Sequence, residues 1–198
     1  MKKEEFKTQF IQIFQTNVTR RGADRLLEWL QSTDFFEAPA STRFHAAYAG
    51  GLAEHSLNVY RTFLRKHFAE GEDDLESVTI CTLLHDICKA GFYETSYRNR
   101  KNEAGNWEKV PYYTVNDKFP YGHGEKSVFL IERFLRLKTE EAVAIRWHMG
   151  GFDESVKGGS FALANAFEAY PLAVKLHLSD LEATYLCETR FGEEENKA

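Results

Sequence analysis

The chain of 198 residues has 43% hydrophobic and 28% charged residues and a formal net charge of −5. That length suits one domain with a full hydrophobic core, and the negative charge argues against general binding to nucleic acids or membranes. The N-terminus is charged without an apolar signal region, and no run is long enough to span a membrane. The three cysteines (Cys81, Cys88 and Cys187) lie in apolar helical contexts, which predicts reduced, buried thiols. We therefore expect a cytoplasmic protein.

Helical periodicity dominates the first half of the chain. Apolar residues at helical spacing predict two N-terminal helices within residues 1–34 and a longer helix over residues 52–68. Asp74 is the predicted cap of a further helix, which carries the doublet His85-Asp86 near its C-terminal end. Three phenylalanines of the first helix belong either to the core or to the surface of a homodimer (Phe6, Phe10 and Phe14).

The segment after the doublet has a different pattern. Two strand-like runs separated by the polar turn 102–106 predict a β-hairpin around residues 92–115. From Lys89 to Lys126 there are seven basic and five acidic residues, in a chain that is negative overall. We expect this basic, aromatic hairpin to cover an anionic, nucleotide-like substrate.

Helices are predicted again in the last third of the chain, over residues 125–137, 140–148, 161–169 and 171–188. An acidic tail after Gly192 is expected to be disordered. The prediction is a single all-α domain over residues 1–198 with one β-hairpin excursion.

The doublet His85-Asp86 is the clearest functional signal. It lies in an apolar run, where an imidazole and a carboxylate are costly to bury unless something compensates both. A divalent metal ion does so, because it accepts neutral nitrogen and charged oxygen together. Further candidate ligands of the same kind are spread along the chain: His55, His123, His148 and Asp180.

These residues carry a family resemblance. The matching segments are Gly-Gly-Leu-Ala-Glu-His-Ser-Leu at 50–57, Leu-Leu-His-Asp-Ile-Cys-Lys at 83–89, and shorter ones at 122–127, 146–150 and 178–182. In this order, H…HD…H…H…D, the chain resembles the HD-domain superfamily of metal-dependent phosphohydrolases. The resemblance implies an all-helical core over about residues 50–182, with the metal site between its helices.

The resemblance also implies the ligand set. His55, His85, Asp86 and Asp180 match the ligands of members with one metal ion. His123 and His148 match the additional histidines of two-metal members, in which the Asp of the doublet bridges both ions. Six ligands also exceed what one ion with an open position needs.

Two ions have a specific chemical use. At a separation of about 3.5–4 Å they can hold a bridging hydroxide and clamp a phosphoryl oxygen, which suits phosphoester hydrolysis. The imidazole-rich set favours Mn, Fe, Zn, Co or Ni over Mg or Ca.

Two of the ligands have alternative roles. Glycines on both sides of His123 predict a loop there, from which it would contact substrate and leave a site with one ion. Asp180 would otherwise cap a helix or pair with a base.

Substrate-binding residues are proposed from position. Lys89 follows Asp86 by three residues, so on a continuing helix it lies near the same side, where it could stabilise phosphate charge. The alternative is a solvated lysine. Arg43 and His45 precede the first metal histidine and are either substrate contacts or connector residues that pack on the core.

The sequence therefore favours a metal-dependent phosphohydrolase with Asp86 and Lys89 as its catalytic residues. Its expected substrate is a small phosphoester, such as a nucleotide, with no stable nucleic-acid partner, since no RNA-binding domain is attached. Two alternatives remain: a di-iron oxygenase resembling myo-inositol oxygenase, and a non-catalytic metal module that binds a nucleotide.

Overall fold

The structure is a computed structural model that describes residues 2–188, so the predicted tail after Gly192 lies outside the described residues. Two helices open the chain, α1 (Lys2–Asn17) and α2 (Ala23–Ser32). A connector leads to α3 (Gly51–Lys66) and α4 (Leu75–Leu84). None of the helices within residues 2–188 is long and apolar enough to cross a membrane.

The hairpin comes next, and its prediction is confirmed. β1 (Tyr93–Lys101) pairs antiparallel with β2 (Trp107–Val115), in a register that runs from Tyr93 opposite Val115 to Lys101 opposite Trp107. The turn between them closes on the backbone bond from Asn102 N to Asn106 O. Most of the hairpin is exposed, because both strands lie outside the helical core.

The remaining elements are helical, which confirms the predicted all-α fold with a hairpin. They are α5 (His123–Glu132), α6 (Thr139–Trp147), the short α7 (Glu154–Lys157), α8 (Ala162–Ala169) and α9 (Pro171–Glu182). A π-helical segment, Ala183–Cys187, follows α9 directly.

Five helices enclose the site. α3 packs against α4 and α9, and α6 packs against α4, α5 and α9. Every residue of α4 from Ser77 to Leu84 is buried, since this helix has neighbours on all sides. The predicted cap is also present, because the Asp74 side chain accepts a hydrogen bond from Glu76 N.

Several predicted boundaries were wrong. α4 ends at Leu84, so the doublet lies just beyond it, and a 3₁₀ turn over Ile87–Lys89 replaces the continuing helix. α5 begins at His123, which places this histidine in a helix and not in the predicted loop. The last predicted helix changes to π geometry after Glu182, and there the side chain of Cys187 is exposed, whereas a buried thiol was predicted.

Candidate metal centre

Two histidines from neighbouring helices meet in the interior. The Nε2 atoms of His55 on α3 and His85 after α4 lie 3.2 Å apart. Each ring is oriented through its other nitrogen: Nδ1 of His55 donates to Glu188 Oε1 at 2.9 Å, and Nδ1 of His85 donates to the Thr82 carbonyl at 2.9 Å. In the neutral rings both Nε2 atoms are therefore lone-pair donors directed at the same place.

Asp86 stands between two groups of histidines. Its Oδ2 lies 3.6 Å from Nε2 of His55 and 3.5 Å from Nε2 of His85. Its Oδ1 lies 2.7 Å from Nε2 of His123 and 3.6 Å from Nε2 of His148. Each carboxylate oxygen thus faces its own pair of imidazoles.

His148 gives the clearest indication that a cation fits this site. Its Nδ1 donates to the Ile145 carbonyl at 2.7 Å, while its buried Nε2 has no hydrogen-bond partner among residues 2–188. A buried nitrogen lone pair without a partner is costly. A cation between His148 and Asp86 would satisfy it.

A close helix contact brings His123 to this place. Gly124 lies against the backbone of α6, so near that a Cβ there would be 2.2 Å from the Arg146 carbonyl oxygen. The absence of a side chain at Gly124 lets α5 approach α6, and the rings of His123 and His148 then lie 5.1 Å apart. Of the two glycines that suggested a loop, Gly124 is thus explained by close packing at the start of a helix, and Gly122 by its positive φ of 88°.

Asp180 completes the inner group from α9. Its Oδ1 lies 3.2 Å from His55 Nε2. Ligand atoms of His55, His85 and Asp180 all lie within 4.8 Å of one another, as do those of His85, Asp86 and His148. His123 lies in a further group of this kind with Asp86 and Cys88, so the structure brings all six sequence-predicted ligands together.

The cluster carries excess negative charge. Three carboxylates (Asp86, Asp180 and Glu188) face one ammonium, that of Lys89, in the described part of the chain. Burial lowers the pKa of His55, but the carboxylates of Glu188 and Asp180 have the larger effect and raise this pKa to about 10. Burial likewise lowers the pKa of His123, but Cys88 and Asp86 raise it to about 10.

The pKa of the Asp180 carboxyl is shifted in the opposite direction. Burial raises the pKa of Asp180, but the hydrogen bond and charge of His55 outweigh it and keep the pKa below its usual value. These directions describe a site that attracts positive charge. Nitrogen lone pairs and buried carboxylates together fit a divalent transition-metal ion.

One of three comparisons with known proteins identifies the family. The family model of the HD domain matches residues 52–185, well over half of the chain. The chain belongs to the HD domain family. Searches of the curated proteins and of the solved structures each found no match. HD domains are commonly metal-dependent phosphohydrolases.

Within this HD domain, Lys89 lies on the 3₁₀ turn and not on a continuing α-helix. Its side chain is 13% exposed, and its Nζ donates to Asp86 Oδ2 at 2.6 Å and to the Ala40 carbonyl at 2.7 Å. The hydroxyl of Tyr93 donates to the same carbonyl at 3.2 Å. Lys89 thus links Asp86 of the candidate metal centre to Ala40 in the connector before α3, and Tyr93 at the start of β1 binds the same carbonyl.

Arg43 and His45 occupy different places. Arg43 is exposed and lies over the ring of Phe44, at 5.0 Å. The ring of His45 lies 5.0 Å from that of His55, and its buried Nε2 has no hydrogen-bond partner among residues 2–188. Burial and the adjacent His55 lower the pKa of His45 to about 4, so His45 is neutral.

Sequence reasoning missed three residues of this HD domain. Glu188 Oε1 accepts from His55 Nδ1 and from Asn58 Nδ2 at 3.2 Å. His177 donates through Nδ1 to the His148 carbonyl at 2.6 Å. Cys88, predicted only to pack, has its Sγ 3.5 Å from His123 Nδ1. Helical spacing hinted only at His177, which precedes Asp180 by three residues.

Proposed function

We propose that this HD domain is a phosphohydrolase that cleaves a phosphoester of a small nucleotide or related metabolite at a centre of two metal ions. The observation that carries the proposal is the position of Asp86, whose two oxygens face separate pairs of histidines. A carboxylate shared in this way suits two adjacent cations better than one.

The ligands divide into two groups. The proposed inner site takes His55, His85, Asp86 and Asp180, and the proposed outer site takes Asp86, His123 and His148. Divalent ions of the Mn, Fe, Zn, Co or Ni type would supply Lewis acidity there and lower the pKa of water. Nδ1 bonds from His55, His85 and His148 to fixed acceptors hold their rings in the orientation that ligation needs.

Lys89 is proposed to contact the phosphate of the substrate in addition to its ion pair with Asp86. Its ammonium neutralises part of the carboxylate charge, and it also lines the cleft that opens beside His123. A phosphate that reaches the candidate metal ligands through this cleft would contact the Lys89 ammonium. Asp86 and Lys89 are thus the proposed catalytic residues. His45 and Arg43 remain proposed substrate contacts, and of these His45 lies beside His55.

A panel of phosphoesters tests the proposal. The protein is stripped of metal, reloaded with each candidate ion, and assayed for release of phosphate from phosphomonoesters and of the alcohol from phosphodiesters. We expect metal-dependent turnover that Asp86→Asn abolishes. Full activity of the stripped protein, or dioxygen consumption by the iron-loaded protein without phosphoester cleavage, would overturn the proposal.

A further inference from the structure

The backbone of His148, at the end of α6, is bound by a side chain from another helix. α6 ends at Trp147, and His148 follows it directly. Nδ1 of His177 on α9 donates to the His148 carbonyl at 2.6 Å. The last carbonyls of a helix have no partner within that helix and must be satisfied from outside it. His177 thus supplies such a partner at a residue whose ring is a candidate metal ligand.

The ring of His177 also determines the course of the turn after α6. Gly150, with a φ of +53°, passes so close that a Cβ there would lie 2.3 Å from Cε1 of His177. On the α8 side, the centre of the Phe167 ring lies 5.6 Å from that of His177. Because Gly150 has no side chain, the turn can close against the imidazole. The position of His177 therefore constrains the two residues on either side of Met149.

The ring of His148 depends on this backbone for its orientation. Its Nδ1 donates to the Ile145 carbonyl at 2.7 Å, and its Nε2 lies 3.6 Å from Asp86 Oδ1. The buried Nε2 has no hydrogen-bond partner among residues 2–188 that could hold it in place. A metal ligand must be held to within about 0.5 Å of its productive position. A shift of the end of α6 would therefore be felt directly at this nitrogen.

One face of α9 thus serves both halves of the candidate metal centre. Asp180 follows His177 by three residues, and residues at this spacing lie on the same side of a helix. The Oδ1 atom of Asp180 lies 3.2 Å from Nε2 of His55, in the inner group. α9 contributes to the inner group through this carboxylate and to the outer group only through the bond of His177 to the His148 backbone.

We propose that His177 is a positioning residue for the outer metal ion and acts through the backbone of His148. This inference rests on the proposed function, because it requires a centre of two ions. The outer site has three candidate ligands against four in the inner site, so we expect it to hold its ion more weakly. Without the His177 donor the end of α6 is less constrained, and the Nε2 of His148 is no longer held towards Asp86.

The test measures how tightly each ion is held. Zn²⁺ is titrated into metal-free protein in competition with a chelator, for the wild type, His177→Leu and His177→Asn. Leucine removes the donor, whereas the amide nitrogen of asparagine lies close to the place of Nδ1. Groups that orient metal ligands typically change metal affinity about 10–100-fold. We expect His177→Leu to weaken the weaker ion by about tenfold, His177→Asn to restore most of this loss, and the stronger ion to be unaffected.

Lys175→Met is the matched control on the same helix. The ammonium of Lys175 pairs with Asp73 at 2.7 Å, and neither residue belongs to a proposed ion site. The unfolding temperature is measured for every variant. Lys175→Met should change neither affinity even where it lowers the unfolding temperature, which separates a loss of positioning from a loss of stability.

The outcomes distinguish this inference from the hydrolase proposal. Two ions with equal affinities in His177→Leu and the wild type would overturn the role of His177 and leave the hydrolase proposal standing. An equal weakening of both ions, or no recovery in His177→Asn, would also overturn it. The expected affinities in a protein that cleaves no phosphoester would support His177 and overturn the hydrolase. One ion per chain in the wild type would overturn both.

Discussion

The Nε2 atoms of His55 and His85 lie 3.2 Å apart, and each ring donates its Nδ1 proton to an oxygen. Two neutral imidazoles cannot hydrogen-bond through two lone pairs. A positive charge at this point, from a proton or from a metal ion, is therefore required. With Asp86 and Asp180 beside the rings, a divalent ion satisfies more of these atoms than a proton does.

Glu188 is expected to strengthen binding of the inner ion through its hydrogen bond with His55. Glu188→Gln keeps the shape of the side chain but removes the charge that accepts from His55 Nδ1. Loss of such a partner typically weakens metal affinity about 10–100-fold. The affinity for Zn²⁺ is measured by competition with a chelator. Glu182→Gln is the control, since Glu182 pairs with Lys66 near the surface, and equal affinities of the two variants would contradict this role.

Lys89 is expected to matter for turnover and not for ion retention. Lys89→Met keeps the length of the side chain and removes the ammonium that contacts Asp86. The cluster becomes more negative, so it keeps its ions, whereas phosphate charge loses its partner and kcat/KM falls about 100-fold. Metal content and turnover are measured together, with the exposed Lys118→Met as control. Unchanged turnover, or loss of the ions, would refute the role assigned here.

Gly124 is expected to control the outer ion. In Gly124→Ala the new Cβ would lie 2.2 Å from the Arg146 carbonyl oxygen and would force α5 away from α6. Such overpacking costs about 1–3 kcal/mol, and it also separates His123 from His148. We expect a lower unfolding temperature and the loss of one ion. Gly151→Ala should change neither, because nothing lies within 4 Å of a Cβ there.

The cap of α4 predicts a pH dependence of stability. The hydrogen bond from Lys138 lowers the pKa of Asp74 from 3.8 to about 2. A carboxylate with a lowered pKa stabilises the fold above its unfolded pKa, and this stability is lost as the pH falls through its folded pKa. It is therefore complete above about pH 4 and declines from there towards pH 2.

Asp74→Asn isolates this charge, because asparagine also caps helices. The pair with Lys138 is exposed, so we expect a loss of about 1 kcal/mol or less in the free energy of unfolding at pH 7. The difference from wild type should shrink at pH 3 in urea titrations. Asp74→Ala should also lose the cap, and an Asp74→Asn deficit that is the same at pH 3 and pH 7 would contradict the ion pair.

Local patterns predicted much of this fold. The hairpin followed from two strand-like runs around a polar turn, and the cap at Asp74 followed from its place before an apolar run. The doublet His85-Asp86 stood out because both side chains lie in an apolar run, whereas its grouping with His55 was implied by the family resemblance. In these cases the information lies within a few residues of the chain.

Other features depend on contacts that no local pattern encodes. His123 begins a helix because Gly124 can lie against the backbone of α6, a neighbour that the sequence does not reveal. Glu188 reaches His55 only after the π-helical turn Ala183–Cys187, which shifts the helical register by one residue. A regular helix from Asp180 to Glu188 would have presented a different face.

The metal content of purified, reloaded protein tests the shared role of Asp86 most directly. Elemental analysis should find two ions per chain in the wild type, one in His123→Ala, and none or nearly none in Asp86→Asn. His67→Ala, whose histidine belongs to neither proposed site, should keep two. One ion per chain in the wild type, unchanged by His123→Ala, would contradict a two-ion centre bridged by Asp86.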